Sequence, residues 1–493
     1  MYFKKTDDFI LAFYKIYFSS YKGEIIDKIS DIYKEYLESN IKNDEVDNLF
    51  FELKNNDFKT DIDIEFLKKY NGRVFSIEQL VSKNIKIHHL IKSPYVRKFL
   101  PIENNYCKNC GEKKNFFEYK NNLGKIKYCK NCLDFSMNTN IYYKFHIQYD
   151  YYKDYSFLTL PKVILSDEQK KASDLLLKNL KNKKTLIWAV CGAGKTEIIY
   201  ETLYNSLKNN KRVCLAIPRK DIVKELEKRI QKDFNTKINC LCGDYKILNY
   251  SSLYIMTTHQ LINYLNFFDV IIIDEVDAFP YNGNLCLEYS VKKSGKKEAS
   301  FIFLSATPSK KIKKNVDNIY KIPIRYHKKL LPVPKLITKE NSLKDFIKKI
   351  EKSQRRGLIF VPSIEKGENL SKLLNIPFIS SKKKERNNII EQFYKRKIKL
   401  LITTSILERG VTFDFLDVFV FEANHKNFTK ECLIQISGRV GRKEYDSDGE
   451  IFFYSEKKTK NITKAINEIK YMNELAKYRG LNKKWNVFFV SKI

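Results

Sequence analysis

At 493 residues, 43% of them hydrophobic, the chain is long enough for about three domains with packed cores, which excludes an intrinsically disordered protein. Its net charge of +33, from 91 Lys and Arg against 58 Asp and Glu, points to a polyanionic partner, nucleic acid or an acidic membrane surface; a basic surplus with only 14 Arg is also what an AT-rich genome produces. No run approaches the ~20 apolar residues of a membrane-spanning helix, and the ten Cys, four in two CxxC pairs and six scattered, make a poor disulfide framework, so a reduced, cytoplasmic setting is expected.

Residues 1–105 form an N-terminal extension in which "EIIDKISDIYKEYLES" has helical periodicity and "NGRVFSIEQLVSKN" reads as a short strand and a helix. Nothing in it carries chemistry. Residues 106–133 hold the CxxC pairs, and 134–160 read as an aromatic, charged connector. From 161 the texture changes: "KTLIWAV", "RVCLAIP", "LYIMTT", "FFDVIIID" and "ASFIFLSAT" are near-continuous apolar runs separated by charged helical ones, the pattern of a parallel sheet covered on both faces. That unit is expected to run to 325. After a proline-rich stretch the rhythm restarts over 335–493 with "RGLIFVPS", "IKLLITTS", "DVFVFEA" and "GEIFFYS", and a long amphipathic segment near 461–479 follows. The predicted fold class is α/β, two tandem units with parallel sheets behind a four-Cys module and an α-rich extension.

The cysteines read Cys107-x2-Cys110-x18-Cys129-x2-Cys132. Two CxxC knuckles at this separation can bring four thiolates to one tetrahedral Zn2+, with Gly111 allowing the tight turn; four protein ligands leave no open position, so the metal would be structural. A redox disulfide pair is the alternative. The Lys-rich, aromatic loops between the knuckles suit contact with DNA or docking to another protein.

"AVCGAGKTE" at 189–197 lies between an apolar strand and a helical run, the setting of a phosphate-binding loop. Gly192 and Gly194 let backbone N–H groups approach phosphate oxygens, Lys195 brings charge to the β and γ phosphates, Thr196 can ligate Mg2+, and Ala193 and Glu197 complete the loop. Ala189 departs from the strict signature, which has Gly there. "FFDVIIIDEVDAFPY" ends a buried strand in Asp274, Glu275 and Asp277, acids that repel one another unless a cation is near; Asp274 would hold Mg2+ through water and Glu275 would activate the attacking water. Ser305 and Thr307 in "LSAT" are suited to linking this site to the second unit. In "QISGRVGR", Gln435, Arg439 and Arg442 are expected on a helix that projects both guanidiniums onto the γ-phosphate, an arginine finger from within the chain. "TTSILERGVTF" adds Thr403, Thr404, Arg409 and Gly410, placed to sense both nucleotide and nucleic-acid backbone.

These motifs stand in the order and spacing of superfamily 2 helicases and translocases over about 165–455. With "DEVDAFPY", "QISGRVGR" and an upstream four-Cys module, the chain resembles the ComFA family of late-competence ATPases, which drives transforming DNA into the bacterial cytoplasm. The resemblance implies two RecA-like lobes, ATP, Mg2+ and Zn2+ as cofactors, and single-stranded DNA as the partner. It further implies that other competence proteins recruit the chain to a membrane DNA channel at the inner face of the cell membrane. It assigns Gln169 in "LSDEQKKA" to the adenine, and Pro218, Arg219, Thr257, Thr258 and His259 in the first lobe, with Pro362 and Ser363 in the second, to the strand. Two other readings stand beside it: a primosome-type replication-restart helicase, whose cysteines however interrupt the second lobe, and a nucleic-acid-binding scaffold with a vestigial ATPase.

Overall fold

The computed structural model describes residues 64–482 apart from 77–78, 81–82, 84, 86–92, 122–123, 134–137, 142, 150–154, 156–157, 244, 340, 381–384, 409–411 and 447. The helical periodicity of the first sixty residues lies outside the described residues.

The described part of the extension is a small antiparallel sheet, β1 (Val74–Phe75) and β2 (Val96–Phe99) flanking β7 (Lys144–Ile147). Its central strand comes from the stretch read as a connector. The reason is that "KFHI" is flanked by aromatic and charged residues and its partners lie upstream of the whole cysteine segment. That segment is thus an insertion between β2 and β7. It contains β3 (Ile102–Glu103) paired with β4 (Tyr106–Cys107), and the hairpin of β5 (Phe116–Asn121) and β6 (Gly124–Cys129).

Two parallel sheets make up the rest, the two RecA-like helicase lobes. In lobe 1, β8 (Lys184–Ala189), β9 (Val213–Ile217), β10 (Asn239–Cys242), β11 (Tyr245–Ile247), β12 (Leu253–Thr257), β13 (Phe268–Ile273), β14 (Gly295–Ser305) and β15 (Asn318–Ile322) lie in the order β11-β10-β12-β9-β13-β14-β8-β15. All neighbours are parallel except β10 with β11. Every residue of β9 and β12 is buried, as their unbroken apolar sequences require when helices cover both faces. Lobe 2 is a six-stranded, all-parallel sheet: β16 (Lys335–Ile337), β17 (Arg356–Phe360), β18 (Phe378–Ile379), β19 (Leu400–Thr403), β20 (Leu416–Val420) and β21 (Ile451–Tyr454), ordered β16-β21-β20-β17-β19-β18.

Five helices matter for the site: α1 (Asp167–Lys178), α2 (Lys195–Ile198), α3 (Leu285–Ser294), α4 (Lys430–Ser437) and α5 (Lys460–Tyr478). α4 packs on α5, where Lys430 pairs with Glu468 at 2.8 Å. Among the described residues no helix is long and apolar enough to cross a membrane.

Candidate functional site

Parallel strands end at the same edge, and ligands of such sheets bind beyond their carboxyl ends. In lobe 1 that edge carries, in sheet order, Thr257 and Thr258 after β12, Pro218 and Arg219 after β9, Asp274 after β13, Ser305 and Thr307 at the end of β14, and the phosphate loop after β8. One row of strand ends therefore runs from the expected strand contacts to the expected nucleotide contacts, with the acids between them.

The phosphate loop is built from both sides. Gly192 and Gly194 have φ of +83° and +73°, a region open to glycine, and a Cβ on Gly194 would stand 2.4 Å from Nε2 of Gln169. Ser166 and Gln169 form a capping box at the start of α1: the Ser166 N–H donates to Oε1 of Gln169 at 2.8 Å. The Gln169 amide in turn donates to the carbonyl of Ala193 at 2.9 Å. Gln169 thus ties α1 to the loop. Lys195 opens α2, with Gly194 as its N-cap. Glu197 is held by Arg229 at 2.5 Å.

Asp274 is 9% exposed, and burial pushes its carboxyl up to about 6; Lys195 pulls the other way, while Glu275 and Asp277 push with the burial. Its Oδ1 accepts from the Glu275 N–H at 2.8 Å, and Glu275 itself sits at φ +52°. Asp277 is a buried hub. It accepts from Ser305 Oγ at 2.5 Å, from Thr307 Oγ1 at 2.8 Å and, across the lobes, from Gln435 Nε2 at 3.4 Å. The other end of the Gln435 amide accepts from the Cys191 thiol at 3.2 Å. One side chain of lobe 2 therefore spans the phosphate loop and the acid loop of lobe 1.

The arginines differ from expectation in their setting. α4 stops at Ser437, with Gly438 as C-cap, so Arg439 and Arg442 lie in the turn beyond the helix, not one helical turn apart on it. The Ser-Gly pair ends the helix, and Gly441 takes φ +64° three residues later. Arg439 is 2% exposed. Arg442 donates from Nε to the Gly438 carbonyl at 3.0 Å and from NH1 to Thr412 Oγ1 at 3.2 Å. Burial lowers its pKa, opposed by Cys191 and Glu275, which places its guanidinium in the field of the acid expected to activate water. Gly438 packs directly on Cys191.

Sequence reasoning missed two participants. Cys191, which the loop motif assigns no role, makes the contact with Gln435. Arg325, in a stretch where only its linker-like prolines stand out, is 1% exposed; its side chain lies along Gly192, and NH1 donates to the Gly441 carbonyl at 2.5 Å. Its Nε and NH2 find no acceptor among the described residues, and burial pushes its pKa down to about 10. A lone arginine between Ile324 and Tyr326 gives no signal in sequence. Asp277 was noticed but not ranked with Asp274 and Glu275.

For the nucleic-acid candidates, lobe 2 repeats the arrangement of lobe 1. Pro362 and Ser363 follow β17, Thr403 and Thr404 end and follow β19, and these strands are neighbours with Phe360 paired to Thr403. Ser363 Oγ accepts from the Lys366 N–H at 3.2 Å as a helix cap, and Thr403 Oγ1 donates to the Thr404 carbonyl at 3.0 Å. In lobe 1, Thr258 is fully buried with no partner for Oγ1 among the described residues, and burial lowers the pKa of His259. Arg409 and Gly410 lie outside the described residues.

Sγ atoms of Cys107, Cys110, Cys129 and Cys132 all lie within 4.8 Å of one another and all four residues are buried. Two separations, 3.8 Å for Cys107–Cys132 and 3.3 Å for Cys110–Cys129, sit near the ~3.8 Å edge of a tetrahedron with ~2.3 Å Zn–S bonds. The donor set is compatible with zinc. Cys286 at the start of α3 packs against the cluster. The module docks on α3 through Tyr106 OH with Tyr289 OH at 2.7 Å and Lys293 Nζ donating to Asn109 Oδ1 at 2.7 Å.

A model of the res subunit of type III restriction enzymes matches residues 162–310, and one of the helicase conserved C-terminal domain matches 338–444. The chain is 40% identical to the competence protein ComFA of Streptococcus pneumoniae (strain ATCC BAA-255 / R6) over 336 residues, 63% of this chain and 78% of that one. It is 36% identical to ComFA of Bacillus subtilis (strain 168) over 397 residues, 75% and 86% of the two chains. The solved structure of S. cerevisiae Dbp5 bound to RNA and ADP BeF3 aligns at 17% identity with a TM-score of 0.46, over 65% of this chain and 98% of that one.

Proposed function

The chain belongs to the ComFA family of competence proteins, superfamily 2 helicases, and from that premise we propose that it hydrolyses ATP between its lobes to move along single-stranded DNA during uptake of transforming DNA. The observation that carries the reading is Gln435, which reaches from lobe 2 to both Cys191 in the phosphate loop and Asp277 beside the acid pair. In this reading Gly192, Gly194 and Lys195 hold the triphosphate, with Gln169 fixing the loop. Thr196 and Asp274 would hold Mg2+, which neutralises phosphate charge. Glu275 orients and deprotonates the attacking water, and Arg439 and Arg442 stabilise the charge that develops on the γ-phosphate. The paired strand ends, Arg219 with Thr257 and His259 in lobe 1 and Ser363 with Thr403, Thr404 and Arg409 in lobe 2, grip the DNA backbone. Cys107, Cys110, Cys129 and Cys132 would hold a structural Zn2+. The motor works on the cytoplasmic side, recruited to a membrane DNA channel by other competence proteins.

The test compares ATP turnover alone and with single-stranded DNA, duplex DNA or RNA. Single-stranded DNA is expected to stimulate most. Lys195→Ala should lower turnover by at least about 100-fold while single-strand affinity stays within about threefold. Absence of any stimulation at low salt would overturn the reading.

A further inference from the structure

A cleft of about 490 Å3 opens where the β1-β7-β2 sheet, the four-cysteine module and lobe 1 meet. Cross-strand pairing sets its first wall. Val74 and Arg97 both pair with His146, so the three share one face of the sheet, and that face lines the cleft. Lys108 and Asn109 come from the first cysteine knuckle, Tyr289 and Lys293 from α3, and Leu265 and Asn266 from the end of a 3-10 segment. Four cationic side chains, Arg97, Lys98, Lys108 and Lys293, line it, and among the described residues no carboxylate does.

Two of these charges, Arg97 and Lys108, are poorly compensated among the described residues. Arg97 is exposed and forms no ion pair among the described residues. Lys108 meets the part-exposed Glu103 at 2.6 Å, a pair worth little in water. Lys293 donates to Asn109 Oδ1 and the Ile262 carbonyl, and burial pushes its pKa down to about 7, opposed by the neighbouring Cys132, Cys107 and Cys286, so it adds little to the cleft's charge. Independently, His146 is 3% exposed, lines the cleft, and its Nε2 has no hydrogen-bond partner among the described residues. A buried polar atom without a partner is costly unless a ligand or water supplies one.

What the cleft takes follows from its neighbours. The 3-10 segment Thr258–Asn263 begins beside the strand-end threonines and leads, after ~12 Å at ~2.0 Å per residue, to Leu265 and Asn266 in the cleft wall. The segment runs back along the sheet, so Leu265 and Asn266, just ahead of β13, set the cleft at the amino edge of lobe 1, opposite the strand-end threonines. Its volume is that of a small-ligand pocket, enough for about one nucleotide unit and too small for a duplex. Phe99 and Tyr289 offer ring faces beside the cations, the pairing that single strands favour. We propose that this cleft is an accessory single-strand site, with Arg97 and Lys108 on backbone phosphate and Phe99 or Tyr289 against a base. The inference rests on the translocase reading above.

Anisotropy of labelled oligo(dT) with full-length protein across a salt series tests it, comparing wild type with Arg97→Gln and Arg97→Gln/Lys108→Gln. Each lost phosphate contact should lower the slope of log affinity against log salt by about 0.7, hence about 1.4 for the pair, an affinity deficit of roughly 25-fold between 1 M and 0.1 M salt. Turnover at saturating DNA should stay within about twofold, since neither residue belongs to the nucleotide site. Normal stimulation with an unchanged slope overturns the cleft alone, whereas unstimulated wild-type protein overturns the translocase reading. Because Lys108 adjoins Cys107, unmutated protein is also crosslinked to a 4-thiothymidine oligomer. Adducts on peptides bearing Phe99 or Tyr289 support the site and their absence overturns it. Competition by polyglutamate at equal charge, matching that of oligo(dT), would mark an acidic-protein site and overturn it as well.

Discussion

Gly438→Ala is the sharpest test of whether lobe contact at the phosphate loop drives turnover. Gly438 has φ −66° and ψ −4°, where alanine is at ease, so the substitution brings no backbone strain. Its added methyl would stand 2.3 Å from Cys191 Cβ and 2.6 Å from Sγ. Carbon contacts normally lie at about 3.5–4.0 Å, so the overlap exceeds roughly 1 Å. Cβ cannot rotate away, and the loop behind it is pinned by Val190 N–H to the Ile322 carbonyl and Ala193 N–H to the Val190 carbonyl, both 3.1 Å. Overpacking of this kind costs about 1–3 kcal/mol, which shifts a two-state contact by about 5- to 150-fold. Because the clash lies between lobes, each lobe keeps its core. DNA-stimulated ATP turnover should therefore fall by that factor, while the thermal midpoint and binding of a fluorescent ATP analogue to lobe 1 stay near wild type. Cys191→Gly in the same chain removes both clashing atoms and should recover turnover several-fold. Turnover within twofold of wild type for Gly438→Ala, or a double variant as slow as the single, would refute the argument.

Asp277→Asn keeps the shape of the hub but cannot accept from Ser305 and Thr307 with both atoms; the loss of one charged hydrogen bond, about 1.5–3 kcal/mol, should lower DNA-stimulated turnover by ~10- to 150-fold with little change in the KM for ATP, and a loss below twofold would show that the hub does not couple the lobes. Metal analysis of full-length protein should find one zinc per chain, absent in Cys129→Ser, and new proteolytic cuts in 108–131 should follow its removal; zinc-free wild type that resists cleavage would contradict a structural metal. Burial, helped by Arg97, pushes the pKa of His146 down to about 4 from an unfolded value near 6.5. The unfolded chain then binds more protons between those values, so stability falls as pH falls through that window, by at most ~3 kcal/mol, and His146→Gln should flatten the fall; equal pH slopes in denaturant titrations of both proteins would refute this.

Much of the fold was legible because parallel strands covered on both faces must be apolar at nearly every position: "LYIMT" and "VCLAI" admit little else, and the residues that follow them mark the functional edge. The cysteine cluster was legible because thiolate spacing constrains geometry directly. What escaped depends on contacts between distant segments. Arg325 acquires its place only when Gly192, far upstream of it, and Gly441, 116 residues downstream of it, close around it. Strand β7, buried at all four positions of "KFHI", takes its place only between the distant β1 and β2. The helix end before Arg439 was the exception, since Ser-Gly is a local stop that the regular spacing of the arginines obscured.

The same contacts suggest why a four-cysteine module should ride on a motor. The acid loop that holds Asp274, Glu275 and Asp277 leads directly into α3, which begins at Leu285 and carries Cys286, Tyr289 and Lys293 into the module interface. Asp277 is gripped at one end by Ser305, Thr307 and Gln435, so a change in lobe contact pulls on the residues that set the start of α3. A module folded around a metal moves as one body with the helix it sits on, whereas a loop of the same length would absorb the displacement. The proposed Arg97 and Lys108 contacts would then lie on the same mechanical path as the acid loop.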